Sequence, residues 1–439
     1  MDWHSQYRER VVTAEEAVRR IESGNRVVVA HACGEPRTLL RAMVAQADRL
    51  TDVEIVHMVP MGDAGYCEPA MSKHFRHNSL FAGPTTRQAI ADGRADFTPI
   101  FFSQIPELLR EQLPVDVALV HVSPPDEHGW CSYGISVDYT KPAAEHARTV
   151  IAQVNPQMPR TLGDSFVHVS EFDAIVEVDE PLIELTPPHI GDVQRAIGRH
   201  CASLVRDGDT LQLGIGAIPD AVLMFLLDKK DLGIHSEMLS DGVVDLMERG
   251  VVTNRRKNFH PGRSVVSFLM GTRRLYDYVD DNPSVEMAPV DFVNDPVVIA
   301  QNDNLVSINS CIQVDLMGQV VSTTVGPKQI SGVGGQVDFV RGANMSRGGR
   351  TIMAMPSTAR GGSISKIVPQ IDPGAAVTTS RYDVDYVVTE RGIAQLWGKT
   401  LRERSRALIA VAHPDFRGAL STEYERRYHE KWVSDEVLV

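Results

Sequence analysis

Short apolar runs recur along the chain, each bounded by small-residue turns and followed by a stretch whose apolar positions keep helical spacing. Strands alternating with helices in this way predict an α/β protein with a largely parallel sheet. The pattern also repeats itself. Gly24 and Asn25 lead into Arg-Val-Val-Val-Ala at 26–30, a small-residue turn ending in Pro36, and a helical stretch at 37–43. Gly208 and Asp209 lead into Thr-Leu-Gln-Leu at 210–213, the turn Gly-Ile-Gly-Ala-Ile-Pro at 214–219, and a helical stretch at 220–226. Proline near a helix start costs little, because the N–H it lacks would find no partner there.

Three more segments echo in the same order: 115–121 with 305–310, 148–152 with 350–354, and 173–176 with 385–388. A chain of 439 residues is also too long for one compact core. Together these predict two related open-sheet α/β domains, 1–186 and 187–439, divided near Pro187 and Pro188, with a site at their interface. Sliding 52–55 onto 231–234 sets Met58 opposite Glu237, so only the second half carries a carboxylate there. That asymmetry suits one half specialised for chemistry and the other for closing the cleft.

Glu237 ends the run Leu-Gly-Ile-His-Ser at 232–236. Open α/β sheets hold ligands outside the carboxyl ends of their strands, so an acidic side chain where a strand runs out can meet a ligand. Two chemistries compete for it. The turn Gly214-x-Gly216-x-x-Pro219 resembles a dinucleotide fingerprint with proline in place of the third glycine, and Glu237 then stands where such sites carry a ribose-binding acid. That reading gives a Rossmann-type dinucleotide- or CoA-binding regulatory protein; the other gives a covalent carboxylate enzyme. The glycines at 332, 334 and 335, and at 361 and 362, allow main chain to approach an oxyanion or a phosphate closely. Ser363-x-x-Lys366 fits a serine–lysine acyl-transfer pattern but has no companion motif. His31, His57 and His121 lie in or beside apolar strands and read as hydrogen-bonded core residues, so no metal is expected.

Composition narrows the classes. The formal charge of −13, from 57 acidic and 44 basic residues without a long run of either sign, offers nucleic acid no basic stripe. The longest strongly apolar stretch, 222–227, is too short to span a bilayer. The first residues lack the basic and apolar regions of a cleaved signal, so a cytoplasmic location is expected. Five scattered cysteines without a C-x-x-C pair argue against a disulfide framework and a zinc site.

Several long strings together resemble the acetyl-CoA hydrolase/transferase family of class I CoA-transferases, nearest its 4-hydroxybutyrate-using branch. They are the strings at 201–204, 211–222, 232–244, 268–271, 332–342 and 375–381, and in the first half those at 123–126, 137–140 and 163–170. The resemblance covers nearly the whole chain. It implies the CoA-transferase type of two-domain fold, with Glu237 as the catalytic residue at the domain interface. It places CoA contacts on Gly214, Ile215, Gly216, Ala217 and Ile218, on Gly334 and Gly335, and near Ile312. It further implies ping-pong exchange through a glutamyl-CoA thioester, with coenzyme A as substrate and covalent partner and no permanently bound cofactor. The implied partners are acyl-CoA and small carboxylic acids such as 4-hydroxybutyrate, butyrate or acetate, and the implied assembly is a homodimer or homotetramer. Acyl-CoA hydrolysis is the alternative on the same intermediate. One departure stands out: where that branch has Thr-Glu-Tyr-Gly, this chain has Thr-Glu-Arg-Gly at 389–392. Arginine grips a carboxylate with a two-pronged fork, so Arg391 is expected either to hold the distal carboxylate of succinate or itaconate, or to pair with Glu390 at the surface.

Overall fold

The computed structural model describes residues 2–433. Its two large sheets repeat one plan. The first has seven parallel strands, in the order Ala174–Glu177, Thr149–Val154, Val117–Val122, Arg26–Val29, Val53–His57, Phe75–Ser79 and Ala95–Phe97. The second has six, in the order Tyr386–Thr389, Arg350–Ala354, Leu305–Ser310, Thr210–Leu213 and Gly233–Ile234, with Gly392–Gln395 added antiparallel beyond Tyr386–Thr389. Five strands therefore occupy the same places in both sheets, and they carry the segments that echo in the sequence.

The match extends to the turns that start these strands. Gly24 and Gly208 both have φ +81°, a conformation open to glycine at little cost, and Asp52 and Asp231 share φ +54°. The strands are apolar on both faces because helices cover both sides of a parallel sheet; Val117–Val122 is buried throughout. Between the halves the core is continuous, joining Val28 and Val120 of the first sheet to Leu211 and Ile308 of the second through Tyr139, Phe268 and Leu239.

In each sheet the winding reverses beside the first strand: between Arg26–Val29 and Val117–Val122, and between Thr210–Leu213 and Leu305–Ser310. Chains leaving such a pair diverge above and below the sheet and open a crevice for ligands. The run at 232–236 departs from the strand its apolarity suggests. Only Gly233 and Ile234 join the sheet; His235 then bridges to Val265, and Met238–Leu239 pairs with Phe268–Leu269. Glu237 thus sits in the bend between two very short strands. The five cysteines are unpaired, four of them buried, and no described helix is long and apolar enough to cross a membrane.

Candidate active site

The bend at Glu237 is pinned through its main chain. Its carbonyl accepts from the N–H groups of Ser267 and Phe268, both at 3.0 Å, and the Ser236 hydroxyl donates to the Leu213 carbonyl at 3.2 Å. The second contact ties the acidic residue's neighbour to the start of the glycine turn. The half-buried side chain points at the loop Gly334–Gly335, where the helix Gln336–Met345 begins. Glu237 Oε2 accepts from Asn294 Nδ2 at 3.2 Å, and the carboxylate also accepts from the Gly335 N–H. A helix N-terminus presents unpaired N–H groups and a positive dipole end, both suited to negative charge.

Gly335 is glycine for a steric reason. A β-carbon there would stand 2.2 Å from Glu237 Oε2 and 2.2 Å from Asn294 Nδ2. A β-carbon on Gly334 would stand 3.9 Å from the other carboxylate oxygen, Oε1. The carboxylate thus has two donors, one from a side chain and one from the main chain.

Burial pushes the Glu237 carboxyl up to about 7; the charges of Asp338 and Asp138 add to the rise, and the bonds from Asn294 and Gly335 oppose it. Asp338, in the first turn of the same helix, is raised by burial to about 6. It accepts from Ser103 N at 3.1 Å and Ser103 Oγ at 2.9 Å, and it also bonds the Asn294 amide. Ser103 belongs to the first half of the chain, and Phe102 beside it donates its N–H to the Gly334 carbonyl at 3.2 Å. The carboxylate therefore lies where the two halves meet.

The structure brings Glu237, Gly334 and Gly335 into contact. Gly214, Ile215 and Gly216 form the turn at the carboxyl end of Thr210–Leu213, and Ala217 and Ile218 open the following helix, Ala217–Met224. Ile312 follows the adjacent strand Leu305–Ser310, across the same crevice, with its N–H bound to Val321 O at 2.8 Å. Ile215 and Gly216 also line a cavity of about 630 Å³ together with Met224, Leu227 and Met270. Arg391 is paired within its own hairpin. It occupies the hairpin between Tyr386–Thr389 and Gly392–Gln395 and pairs with Glu390 at 3.4 Å. Ser363 and Lys366 do not form a pair: Ser363 Oγ donates to Arg360 O, and Lys366 Nζ to Cys311 O at 3.0 Å.

Sequence reasoning missed Asn294, Asp338 and Ser103. Asp338 stands inside the glycine string at 331–339, so its position beside the loop was readable. Asn294 follows the short helix Val290–Val293 with no spacing signal, and Ser103 is brought in by packing of the other half.

Comparison with known proteins is consistent along the whole chain. The acetyl-CoA hydrolase/transferase N-terminal domain model matches residues 1–187, and the corresponding C-terminal domain model matches 271–424. The chain is 62% identical over 429 residues to a 4-hydroxybutyrate coenzyme A transferase of Clostridium kluyveri, covering 98% of this chain and 100% of that one. It is 49% identical over 428 residues to a succinyl-CoA:cyclohexane-1-carboxylate CoA transferase of Geobacter metallireducens, covering 97% of each. Among solved structures, RipA from Yersinia pestis superposes with a TM-score of 0.93 at 42% identity, covering 98% of this chain and 100% of RipA.

Proposed function

The chain belongs to the acetyl-CoA hydrolase/transferase family, and from that premise we propose that it transfers CoA between small carboxylic acids by way of a thioester on Glu237. The observation that carries this reading is the place of the Glu237 carboxylate, half-buried against the glycine loop with donors from Asn294 and Gly335 already aimed at it. Asn294 donates to Oε2 and the Gly335 N–H to the same carboxylate, and in this reading Oε1 is the attacking oxygen.

Attack of Oε1 on the acyl-CoA carbonyl expels CoA thiolate and leaves a mixed anhydride. The thiolate then attacks the glutamyl carbonyl, the acyl carboxylate departs, and glutamyl-CoA remains. A second acid reverses both steps and leaves as its CoA ester. Each event exchanges a carboxylate for a thiolate, so no proton need be gained or lost. When the glutamyl carbonyl is attacked, the negative charge builds on Oε2, beside the Asn294 amide and the Gly335 main chain. Each such donor is worth about 3–4 kcal/mol in a preorganised site. CoA is placed along the crevice between the turn at Gly214–Ile218 and Ile312. The acid is placed as 4-hydroxybutyrate or a related short-chain acid, by analogy with the Clostridium relative.

The test is exchange. With acetyl-CoA and a labelled acid the protein should form labelled acyl-CoA, and without an acceptor, release of acetate should stop after one equivalent per Glu237. Continued acetate release without an acceptor would make it a hydrolase. The pH dependence follows from the ionised form being the nucleophile. With the Glu237 carboxyl raised to about 7, kcat/KM for the acyl-CoA half-reaction should fall about tenfold per unit as pH drops below 7 and level off above it. A flat profile from about pH 5 to 8 would contradict the assignment.

We place acid selection away from Arg391, which is paired with Glu390, itself fixed by the Ser357 N–H at 2.8 Å. Arg391→Tyr should therefore leave the ratio of succinate to butyrate kcat/KM within about threefold of the parent. A loss confined to succinate would return the distal-carboxylate role to this arginine.

A further inference from the structure

Asn294 serves Glu237 only when its amide faces the right way. The NH2 end donates to Glu237 Oε2 at 3.2 Å, whereas the carbonyl end turned to the same place would set one acceptor against another. The carbonyl side does not fix that choice, because Asn294 Oδ1 is buried and has no hydrogen-bond partner among the described residues. The orientation is therefore set from the NH2 side, where two carboxylates stand. One is Glu237 itself; the other is Asp338, to which the same amide group also donates.

Asp338 is itself firmly held. It is 3% exposed and lies in the first turn of the helix Gln336–Met345, just beyond Gly335. Its Oδ1 accepts from Ser103 Oγ at 2.9 Å and its Oδ2 from Ser103 N at 3.1 Å, so both oxygens are gripped from the first half of the chain. The positive end of its own helix and Arg341, one turn on, offset its charge. Ser103 belongs to the short helix Phe102–Gln104, which packs against Val290–Val293, the helix that ends at Asn294. Asp338, Ser103 and Asn294 are thus brought together by three segments that touch one another.

The two carboxylates part company during the reaction. Glu237 attracts the amide NH2 strongly while it is ionised, but as an anhydride or thioester it is neutral and offers only a weaker carbonyl oxygen. Asp338 makes no covalent bond and keeps its charge throughout. We propose that Asp338 is a positioning residue that holds the Asn294 NH2 toward Glu237 while Glu237 is bonded to acyl or CoA, so that the donor is in place when charge develops on Oε2. The inference rests on the transfer reaction proposed above and adds to it a residue that touches neither substrate nor the reacting atoms.

The experiment measures kcat and KM at about pH 8 with acetyl-CoA and 4-hydroxybutyrate, in the parent, Asp338→Asn, Asn294→Ala and the double variant. Asparagine at 338 keeps the shape and an oxygen for Ser103, but it can turn an NH2 toward Asn294 and so removes the preference for one amide orientation. In Asp338→Asn kcat should fall about 10–100-fold while KM changes by less than about threefold. In the Asn294→Ala background the same substitution should change kcat by less than about threefold, because the group it orients is gone. If Asp338→Asn does not fold, Ser103→Ala decides: kcat should fall about fivefold in the parent background and stay within about twofold in the Asn294→Ala one. A folded Asp338→Asn with kcat within about twofold of the parent overturns the proposal, as do losses that multiply in the double variant, the mark of a residue that merely supports the fold. A parent that transfers no CoA instead contradicts the transferase reading.

Discussion

Replacing Glu237 by glutamine should abolish CoA transfer, lowering kcat by about four orders of magnitude or more. The amide keeps the shape of the side chain and an oxygen for Asn294 and Gly335 to bond, but it cannot attack a thioester. The same substitution should stabilise the fold at neutral pH. Burial lifts the native carboxyl to about 7 from its ordinary 4.5, so the native state holds its proton where the unfolded chain has released it. Stability from such a group is complete below the unfolded value and is lost as pH rises through the native one. Thermal unfolding of Glu237→Gln should therefore match the parent at acid pH and exceed it above pH 7, by on the order of 2 kcal/mol. Loss of activity with a gain in stability separates a charged nucleophile from a residue that merely supports the fold.

Gly335→Ala should be the most damaging small change at the site. The backbone there, at φ −92°, is one that alanine adopts readily, so the harm comes from the methyl group itself. That methyl would lie 2.2 Å from Glu237 Oε2 and from Asn294 Nδ2, too close for either to stay. Parting them removes the donors from the oxygen on which charge develops, and kcat should fall by about 10²–10³. Substrate KM should change much less, because the loss is felt in the transition state. A Gly335→Ala enzyme with kcat within about threefold of the parent would show that this loop does not hold the oxyanion.

Much of the scaffold was legible in the sequence because its signals are local. A buried strand entered through a left-handed residue and left through a small-residue turn is written in consecutive positions, and the segments that echo in the chain take the same places in the two sheets. Glu237 and the glycine loop were legible for a similar reason, each standing beside a recognisable string. Their surroundings were not. Asn294 reaches Glu237 across 57 residues of chain and Ser103 reaches Asp338 across 235, contacts that exist only once the halves have packed. His31 read as an ordinary core histidine, and its Nδ1 is bonded as such a residue's would be. At Arg391 the departure from the related branch was visible, and the pair it forms with Glu390 joins neighbours in the chain.

Transfer by way of Glu237 requires a covalent bond to that one carboxylate. Incubating the protein with acetyl-CoA and no acceptor, reducing with borohydride, and mapping peptides by mass spectrometry tests it directly. The peptide containing Glu237 should carry that side chain reduced to the alcohol, dependent on acetyl-CoA and absent from Glu237→Gln. An unmodified Glu237 in protein that has released its equivalent of acetate, or a reduced carboxyl elsewhere in the chain, would contradict the account.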